Sequence, residues 1–144
     1  MSLIYTNHNV YDAHYHIVFA VKYRKLLLNK EIERAIVTIA QEIALRYTID
    51  FEKIGSDGDH VHILVSFPPK HSGSDVVRIF KSITAKQLFI QFPALKKDLW
   101  GGELWNDGFY LATVSERGNW KAVEQYVANQ GKAKDGPYQL RLLT

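Results

Sequence analysis

Two pairs of histidines with the same spacing are the residues of this chain best suited to metal chemistry. His60 and His62 lie in "DHVHILVSF", and His14 and His16 lie in "YDAHYHIVFA". Residues i and i+2 of a strand project from one face with their roots about 7 Å apart, so two imidazoles there can converge on one ion. A single strand histidine is more often exposed or hydrogen-bonded. The spacing therefore predicts a metal site at one of the pairs and leaves open which.

A third ligand would distinguish the two pairs, and a predicted helix late in the sequence offers candidates. In "NWKAVEQYVANQGKAK", Tyr126 and Gln130 are four residues apart, so both project from one face of that helix. The alternative is structural, because aromatic residues on helices usually pack, here in a stripe with Val123 and Val127. Which interpretation holds depends on whether the fold offers this helix a place to pack.

Hydrophobic periodicity predicts the elements that position these residues. Strands are predicted over 14–23, 48–55, 60–67 and 108–114. Helices are predicted over 30–47 with Asn29 as the cap, from about Asp75 to Gln91, and from Asn119 to Asn129. The first six elements match the ferredoxin-like (RRM-like) βαββαβ arrangement, an α+β fold with an antiparallel sheet. The extra C-terminal helix would carry Tyr126.

In a ferredoxin-like fold, both helices cover one face of the sheet. The apolar sides of the strands, which include Val61, Ile63 and Val65, would pack under those helices. His60 and His62 would then lie on the opposite, open face. Because the helix-bearing face is already covered, the C-terminal helix would lie across the open face or on a partner subunit.

Length and composition restrict the class of protein. With 144 residues, of which 47% are hydrophobic, the chain is predicted to form a single domain over 1–144. It has no cysteine, which excludes disulfides and thiolate metal sites, so a metal would be held by imidazole, carboxylate or amide oxygen. The sequence shows no signal peptide and no apolar run long enough to span a membrane, and a cytoplasmic protein is expected.

The charge of the chain permits nucleic-acid binding without requiring it. The net charge is +3 and the pI is near 9.0. Two basic clusters are candidates for contact with phosphate, and they consist of Lys22, Tyr23, Arg24 and Lys25 after the first strand and Arg78, Lys81 and Lys86 along the second helix. Either cluster could equally be a solvated surface, and neither indicates a preferred base sequence.

Four segments, taken in order, resemble one family. "YHIVFAVKYRK", "DHVHILVSF", "LWNDGFYLATV" and "YVANQ" are similar to the TnpA-type single-tyrosine HUH transposases, which move insertion sequences as single-stranded DNA. The resemblance covers nearly the whole chain. It implies that His60, His62 and Gln130 bind the metal and that Tyr126 is the nucleophile. The pair at positions 14 and 16 would then take no part in the metal site.

The resemblance also implies an activity, a cofactor and partners. Tyr126 would cleave single-stranded DNA at the ends of an insertion sequence, giving a 5′-phosphotyrosine and a free 3′-OH that can rejoin a different strand. The ion would be Mg²⁺ or Mn²⁺, although imidazole ligands also suit zinc, and it would activate the phosphate toward a phenol of pKa near ~10. The family binds DNA hairpins as a homodimer, and we expect active sites shared between the subunits, each tyrosine helix completing the partner's site. The sequence alone does not separate this trans arrangement from a cis one.

Two alternatives stay open. A non-catalytic ferredoxin-like module could bind structured DNA or RNA on its open sheet face. That alternative leaves His60, Tyr126 and Gln130 without a role, so the sequence favours the enzyme. A domesticated relative that acts on chromosomal palindromes would share the chemistry and differ in its biology, and the sequence does not separate it from a mobile-element transposase.

Overall fold

Four antiparallel strands form the main sheet, and their order confirms the ferredoxin-like fold. The computed structural model describes residues 3–5, 10–11 and 13–114. Two short strands, β1 (Ile4–Tyr5) and β2 (Val10–Tyr11), pair with each other ahead of the main sheet. The main sheet is built from β3 (Tyr15–Ala20), β4 (Asp50–Ser56), β5 (His60–Ser66) and β6 (Tyr110–Thr113). Its order is β4-β5-β3-β6, and each neighbouring pair is antiparallel. The two central strands are therefore β3 and β5.

Two helices connect these strands, and their capping residues set where they begin. Helix α1 (Lys30–Tyr47) begins as predicted after Asn29, whose Oδ1 accepts a hydrogen bond from the Ile32 amide at 2.9 Å. Helix α2 (Gly73–Gln91) begins two residues earlier than predicted because Ser72 and Asp75 form a capping box. Two short 3-10 helices, Pro93–Asp98 and Trp100–Gly102, lead from α2 toward β6.

The core lies between the helices and one face of the sheet. Phe19 of β3 packs against Phe80 of α2 with their ring centroids 5.6 Å apart. Other buried residues that share this core include Ile17, Val61, Ile63 and Val65 from the central strands and Ile36, Ile43 and Leu88 from the helices. Burial of side chains of this size stabilises the fold by roughly 1.5–3 kcal/mol each. The prediction that these strand residues face the helices is confirmed, so the even-numbered residues of β5, including His60 and His62, point to the other face.

The predicted end of the first strand is wrong. The strand predicted over 14–23 ends at Ala20, because the chain turns at Lys22–Arg24 with left-handed backbone at Tyr23 (φ 60°) and Arg24 (φ 52°). On the face opposite the helices, Val18 and Ala20 at the centre of the sheet are 0% and 2% exposed. Val18 lies on a central strand and is flanked by larger side chains on both neighbouring strands.

The prediction of a single domain over 1–144 and that of a C-terminal helix are not tested by the described residues. The helix predicted over 119–129, with Tyr126 and Gln130, lies outside the described residues. Within the described ranges, no helix has both the length and the apolar composition that a membrane crossing requires.

Candidate active site

His60 and His62 lie side by side on the face of β5 that points away from the helices. In the register of the sheet, His60 is opposite Ala20 and His62 is opposite Val18. The centroids of the two imidazole rings are 6.3 Å apart, and the ring planes are tilted by 39°. The structure therefore brings together the two predicted metal ligands that it describes.

His60 is held by hydrogen bonds through a neighbouring carboxylate. Nδ1 of His60 lies 2.9 Å from Oδ1 of Asp59, and Oδ2 of Asp59 lies 2.9 Å from both Nε and Nη2 of Arg24. The side chains of His60 and Asp59 are each 12% exposed. Burial opposes ionisation of Asp59, but the hydrogen bonds from His60 and Arg24 outweigh it and lower the pKa of this carboxyl. Nε2 of His60 remains on the side away from Asp59.

His62 is held by close packing. Gly55 of β4 lies opposite it, and a Cβ added at Gly55 would lie 2.6 Å from Nε2 of His62 and still closer to Cε1. On the other side, the ring of His16 meets the ring of His62 edge-on, at 6.1 Å between centroids and 81° between planes. Burial first, and then the neighbouring His60, lower the pKa of His62. The neutral imidazole, which is the form that binds a metal, is thereby favoured.

The other histidine pair is divided between two environments. His14 is buried, and its Nδ1 pairs with Oε1 of Glu52. His16 instead contacts His62, and burial followed by the effect of His62 lowers the pKa of His16. The structure thus places His16 as near to His62 as His60 is, which the sequence did not predict.

The donor set of the pair fits a divalent ion that takes its other ligands from elsewhere. Within the described ranges, no three histidine, aspartate or glutamate side chains are grouped closely enough to hold a metal ion. His60 and His62 would supply two neutral nitrogen ligands, which suits a metal site that keeps positions for further oxygen ligands. The predicted third ligand, Gln130, and the predicted nucleophile, Tyr126, lie outside the described residues.

The first predicted basic cluster lies at the end of β3 beside the histidines. The turn at Lys22–Arg24 follows the strand end that faces His60. Tyr23 is 53% exposed, and Nζ of Lys22 lies 5.8 Å from the centroid of its ring. Lys22 also pairs with Glu103 at 3.1 Å, whereas Lys25 is exposed. This turn can present an aromatic ring and positive charge next to the histidine pair.

The second predicted basic cluster lies on α2, in the helical layer on the other side of the sheet. Arg78 and Lys86 are exposed. Lys81 is half-buried, and its ammonium group donates hydrogen bonds to the carbonyls of Asn106 at 2.8 Å and Gly108 at 2.7 Å. Burial lowers the pKa of Lys81 to about 8. The structure therefore does not bring this cluster to the histidines, and it engages Lys81 in holding the loop that leads into β6.

Three residues at this site were missed by sequence reasoning. Asp59 and Gly55 lie in the run "GSDGD", which is typical of a turn, and a carboxylate immediately before a histidine was a visible signal for a hydrogen-bonding partner. For His16, the only signal in the sequence was that it alternates with apolar residues along its strand, as His60 and His62 do along theirs. Its position relative to His62 depends on the register between two strands, which the sequence does not give.

Comparison with known proteins identifies a matching family and two similar relatives. Residues 9–130 match the family described as "Transposase IS200 like". The ISDra2 transposase TnpA of Deinococcus radiodurans is 35% identical over 122 residues, which cover 84% of this chain and 86% of the relative. The transposase for insertion sequence element IS200 of Salmonella typhimurium is 31% identical over 123 residues, which cover 85% and 80% of the two chains.

A solved structure supports the same relationship. A crystal structure from Deinococcus radiodurans R1, whose protein is assigned as a transposase, aligns with a TM-score of 0.79 and 33% identity. The alignment covers 88% of this chain and 97% of that chain. The similarity thus extends over most of both chains.

Proposed function

The chain belongs to the IS200-like transposase family, and we propose that it cleaves and rejoins single-stranded DNA at insertion-sequence ends with Tyr126 as the nucleophile. The observation that carries the proposal is the adjacency of His60 and His62, with ring centroids 6.3 Å apart, on the sheet face away from the helices. The family match, over residues 9–130, includes both Tyr126 and Gln130.

Tyr126 supplies the covalent step. Its phenol oxygen attacks the phosphorus of a phosphodiester and loses its proton, the bond from phosphorus to the 3′ oxygen breaks, and that oxygen takes up a proton to become a free 3′-OH. The 5′ end is left attached to the tyrosine. A free 3′-OH from another strand then attacks the same phosphorus and releases the tyrosine. The number of phosphate ester bonds is unchanged, so strand transfer needs no external energy source.

His60, His62 and Gln130 would hold a Mg²⁺ or Mn²⁺ ion. When bound, the ion would draw charge from a non-bridging phosphate oxygen and so make the phosphorus easier for a weakly acidic phenol to attack. The donors fit this role because Asp59 engages Nδ1 of His60 and leaves Nε2 for a ligand bond. The lowered pKa of His62 keeps its ring neutral for the same purpose.

The substrate would be single-stranded DNA with hairpins at the element ends. The turn at Lys22–Arg24 is the candidate surface for the strand that reaches the histidines, since exposed Tyr23 can stack on a base and Lys25 can contact phosphate. Arg78 and Lys86 on α2 would contact DNA beyond the reacting strand.

The test of the nucleophile is the variant Tyr126→Phe with a labelled single-stranded hairpin substrate. It should bind the hairpin with unchanged affinity and form neither cleaved strand nor protein-linked DNA on a denaturing gel, because the change removes one oxygen and little else. A variant that still yields a protein-linked 5′ end would assign the nucleophile to another residue.

The active form is proposed to be a homodimer in which each tyrosine helix completes the partner's site. Co-expressing Tyr126→Phe chains with chains that carry both His60→Ala and His62→Ala should restore cleavage, because a mixed dimer then has one site with every group intact. Mixed dimers that are folded and inactive would place the tyrosine and the histidines of one site on the same chain.

A further inference from the structure

We propose that Asp59 and Arg24 are positioning residues for the metal site, with Asp59 fixing the tautomer and orientation of His60 and Arg24 fixing Asp59. The inference rests on the proposed function in that His60 is taken as a metal ligand. It adds two residues that act on the metal site through His60. Arg24 was predicted from the sequence as a DNA contact, and this inference gives it a different primary role.

The hydrogen-bond geometry determines which nitrogen of His60 carries the proton. An ionised carboxylate only accepts hydrogen bonds, so Nδ1 of a neutral His60, 2.9 Å from Oδ1 of Asp59, must be the protonated nitrogen. Nε2 then has the free lone pair that a metal bond requires. Without the carboxylate, the ring could place its proton on either nitrogen and could rotate. Asp59 therefore selects the one ring state that presents Nε2 as a ligand.

Arg24 holds this carboxylate in place and supplies its counter-charge. Its Nε and Nη2 both lie 2.9 Å from Oδ2 of Asp59, while Oδ1 is left for His60. A carboxylate that is 12% exposed is costly to bury without a counter-charge, and the guanidinium provides that charge in a planar, directional form. Loss of Arg24 should therefore weaken the hold on His60 even though the two side chains are joined only through Asp59.

The backbone around Arg24 is shaped to make this contact. Tyr23 and Arg24 both have left-handed backbone, with φ of 60° and 52°, which costs about 1–3 kcal/mol at a residue other than glycine. The amide of Val21 donates to the carbonyl of Asp59 at 2.8 Å, so the same turn binds both the backbone and the side chain of Asp59. The left-handed turn after β3 therefore contacts the start of β5 twice, through the backbone hydrogen bond from Val21 and through the ion pair of Arg24 with Asp59.

The first measurement is the tautomer of His60 in the metal-free protein without DNA, by nitrogen-15 NMR of the imidazole rings over a series of pH values. The wild-type protein should have the proton on Nδ1 of His60. Asp59→Ala should lose this preference. Asp57→Ala is the matched control, because it removes the same charge from a carboxylate that lies 3.9 Å from Nε2 of His60 and is 82% exposed. It should keep the proton on Nδ1.

The second measurement is Mn²⁺ affinity by calorimetry with the same proteins. Asp59→Ala should lower it by roughly 10- to 100-fold, the usual range for removing a carboxylate behind a ligating histidine. Asp57→Ala should change it by no more than a few-fold. Arg24→Gln should weaken it more than Arg24→Lys, which keeps a positive charge near Asp59. These two Arg24 variants also decide the question if Asp59→Ala does not fold.

The proposal is overturned if Asp59→Ala keeps both the Nδ1 proton and the wild-type Mn²⁺ affinity, or if Arg24→Gln leaves both unchanged when Asp59→Ala does not fold. A failure of the proposed function would look different. In that case wild-type protein would neither cleave single-stranded DNA nor bind Mn²⁺, while the tautomer measurement would still report whether Asp59 controls His60.

Discussion

His60 and His62 occupy equivalent positions on one strand face, yet the structure holds them by different means. His60 is fixed by a hydrogen bond from its Nδ1 to Asp59, which is itself bound to Arg24. His62 is fixed by packing between Gly55 and the edge of the ring of His16. The position of His60 thus depends on a directional hydrogen bond to a charged group, and the position of His62 depends on the space that Gly55 leaves for its ring. The two should fail in response to different kinds of substitution.

Removing either imidazole should have the largest effect on cleavage and on Mn²⁺ affinity, and this effect should be the same for His60 and His62 although they are held by different means. His60→Ala and His62→Ala are each expected to abolish metal-dependent cleavage of single-stranded DNA and to lower Mn²⁺ affinity at least 100-fold, because a ligand bond is lost in both. Cleavage assays and calorimetry would check this. Cleavage at the wild-type rate by either variant would remove that histidine from the site.

Adding one methyl group at Gly55 should displace the ring of His62 and leave His60 in place. In Gly55→Ala the new Cβ would overlap the ring of His62, which must then rotate or move, and cleavage should fall by roughly 10- to 100-fold although no ligand is removed. The tautomer of His60 should stay as in wild type, since its partner Asp59 is untouched.

Gly73→Ala is the matched control for this prediction. Its Cβ would press against the Cδ1 atom of Leu111, the far end of a flexible side chain, at the start of α2. It should leave cleavage within a few-fold of wild type. Equal loss of cleavage in the two alanine variants would show that general crowding, and not displacement of His62, explains the effect.

The smallest effects are expected at the other histidine pair, and they should differ from each other. His16→Ala removes the ring that packs against His62 and should lower Mn²⁺ affinity by only a few-fold. His14→Ala breaks the pair with Glu52 and should leave Mn²⁺ affinity unchanged while lowering the free energy of unfolding by about 1–2 kcal/mol. Chemical denaturation and calorimetry separate the two. A loss of Mn²⁺ binding in His14→Ala as large as that in His62→Ala would contradict the assignment of His60 and His62 as the metal ligands.

The elements that position the site could be predicted from local patterns. Strict alternation of apolar residues gave the position of β5 and the face that carries His60 and His62. The Asn29 cap and the helical periodicity gave α1 to the residue at both ends. The earlier start of α2 was also readable, because Ser72 and Asp75 have the spacing of a capping box.

The parts that could not be predicted depend on contacts between distant residues. The strand β3 ends early because the backbone is left-handed at Tyr23 and Arg24, and the sequence has no glycine there that would predict such a turn. Arg24 in this turn contacts Asp59, which is 35 positions away in the sequence. The proximity of His16 to His62 depends on the register between β3 and β5, which periodicity does not specify. Gly55 was read as the end of a strand, and only the structure shows that a ring occupies the space beside it.

The most direct test of the central claim is the chemical identity of the covalent intermediate. Wild-type protein would be incubated with Mg²⁺ and a single-stranded hairpin substrate, digested with protease, and the DNA-linked peptide would be sequenced by mass spectrometry. We expect a phosphodiester link between Tyr126 and the 5′ end of the cleaved strand, and no link when the divalent ion is chelated. Cleavage without any protein-linked DNA, or a link at a different residue, would contradict the account.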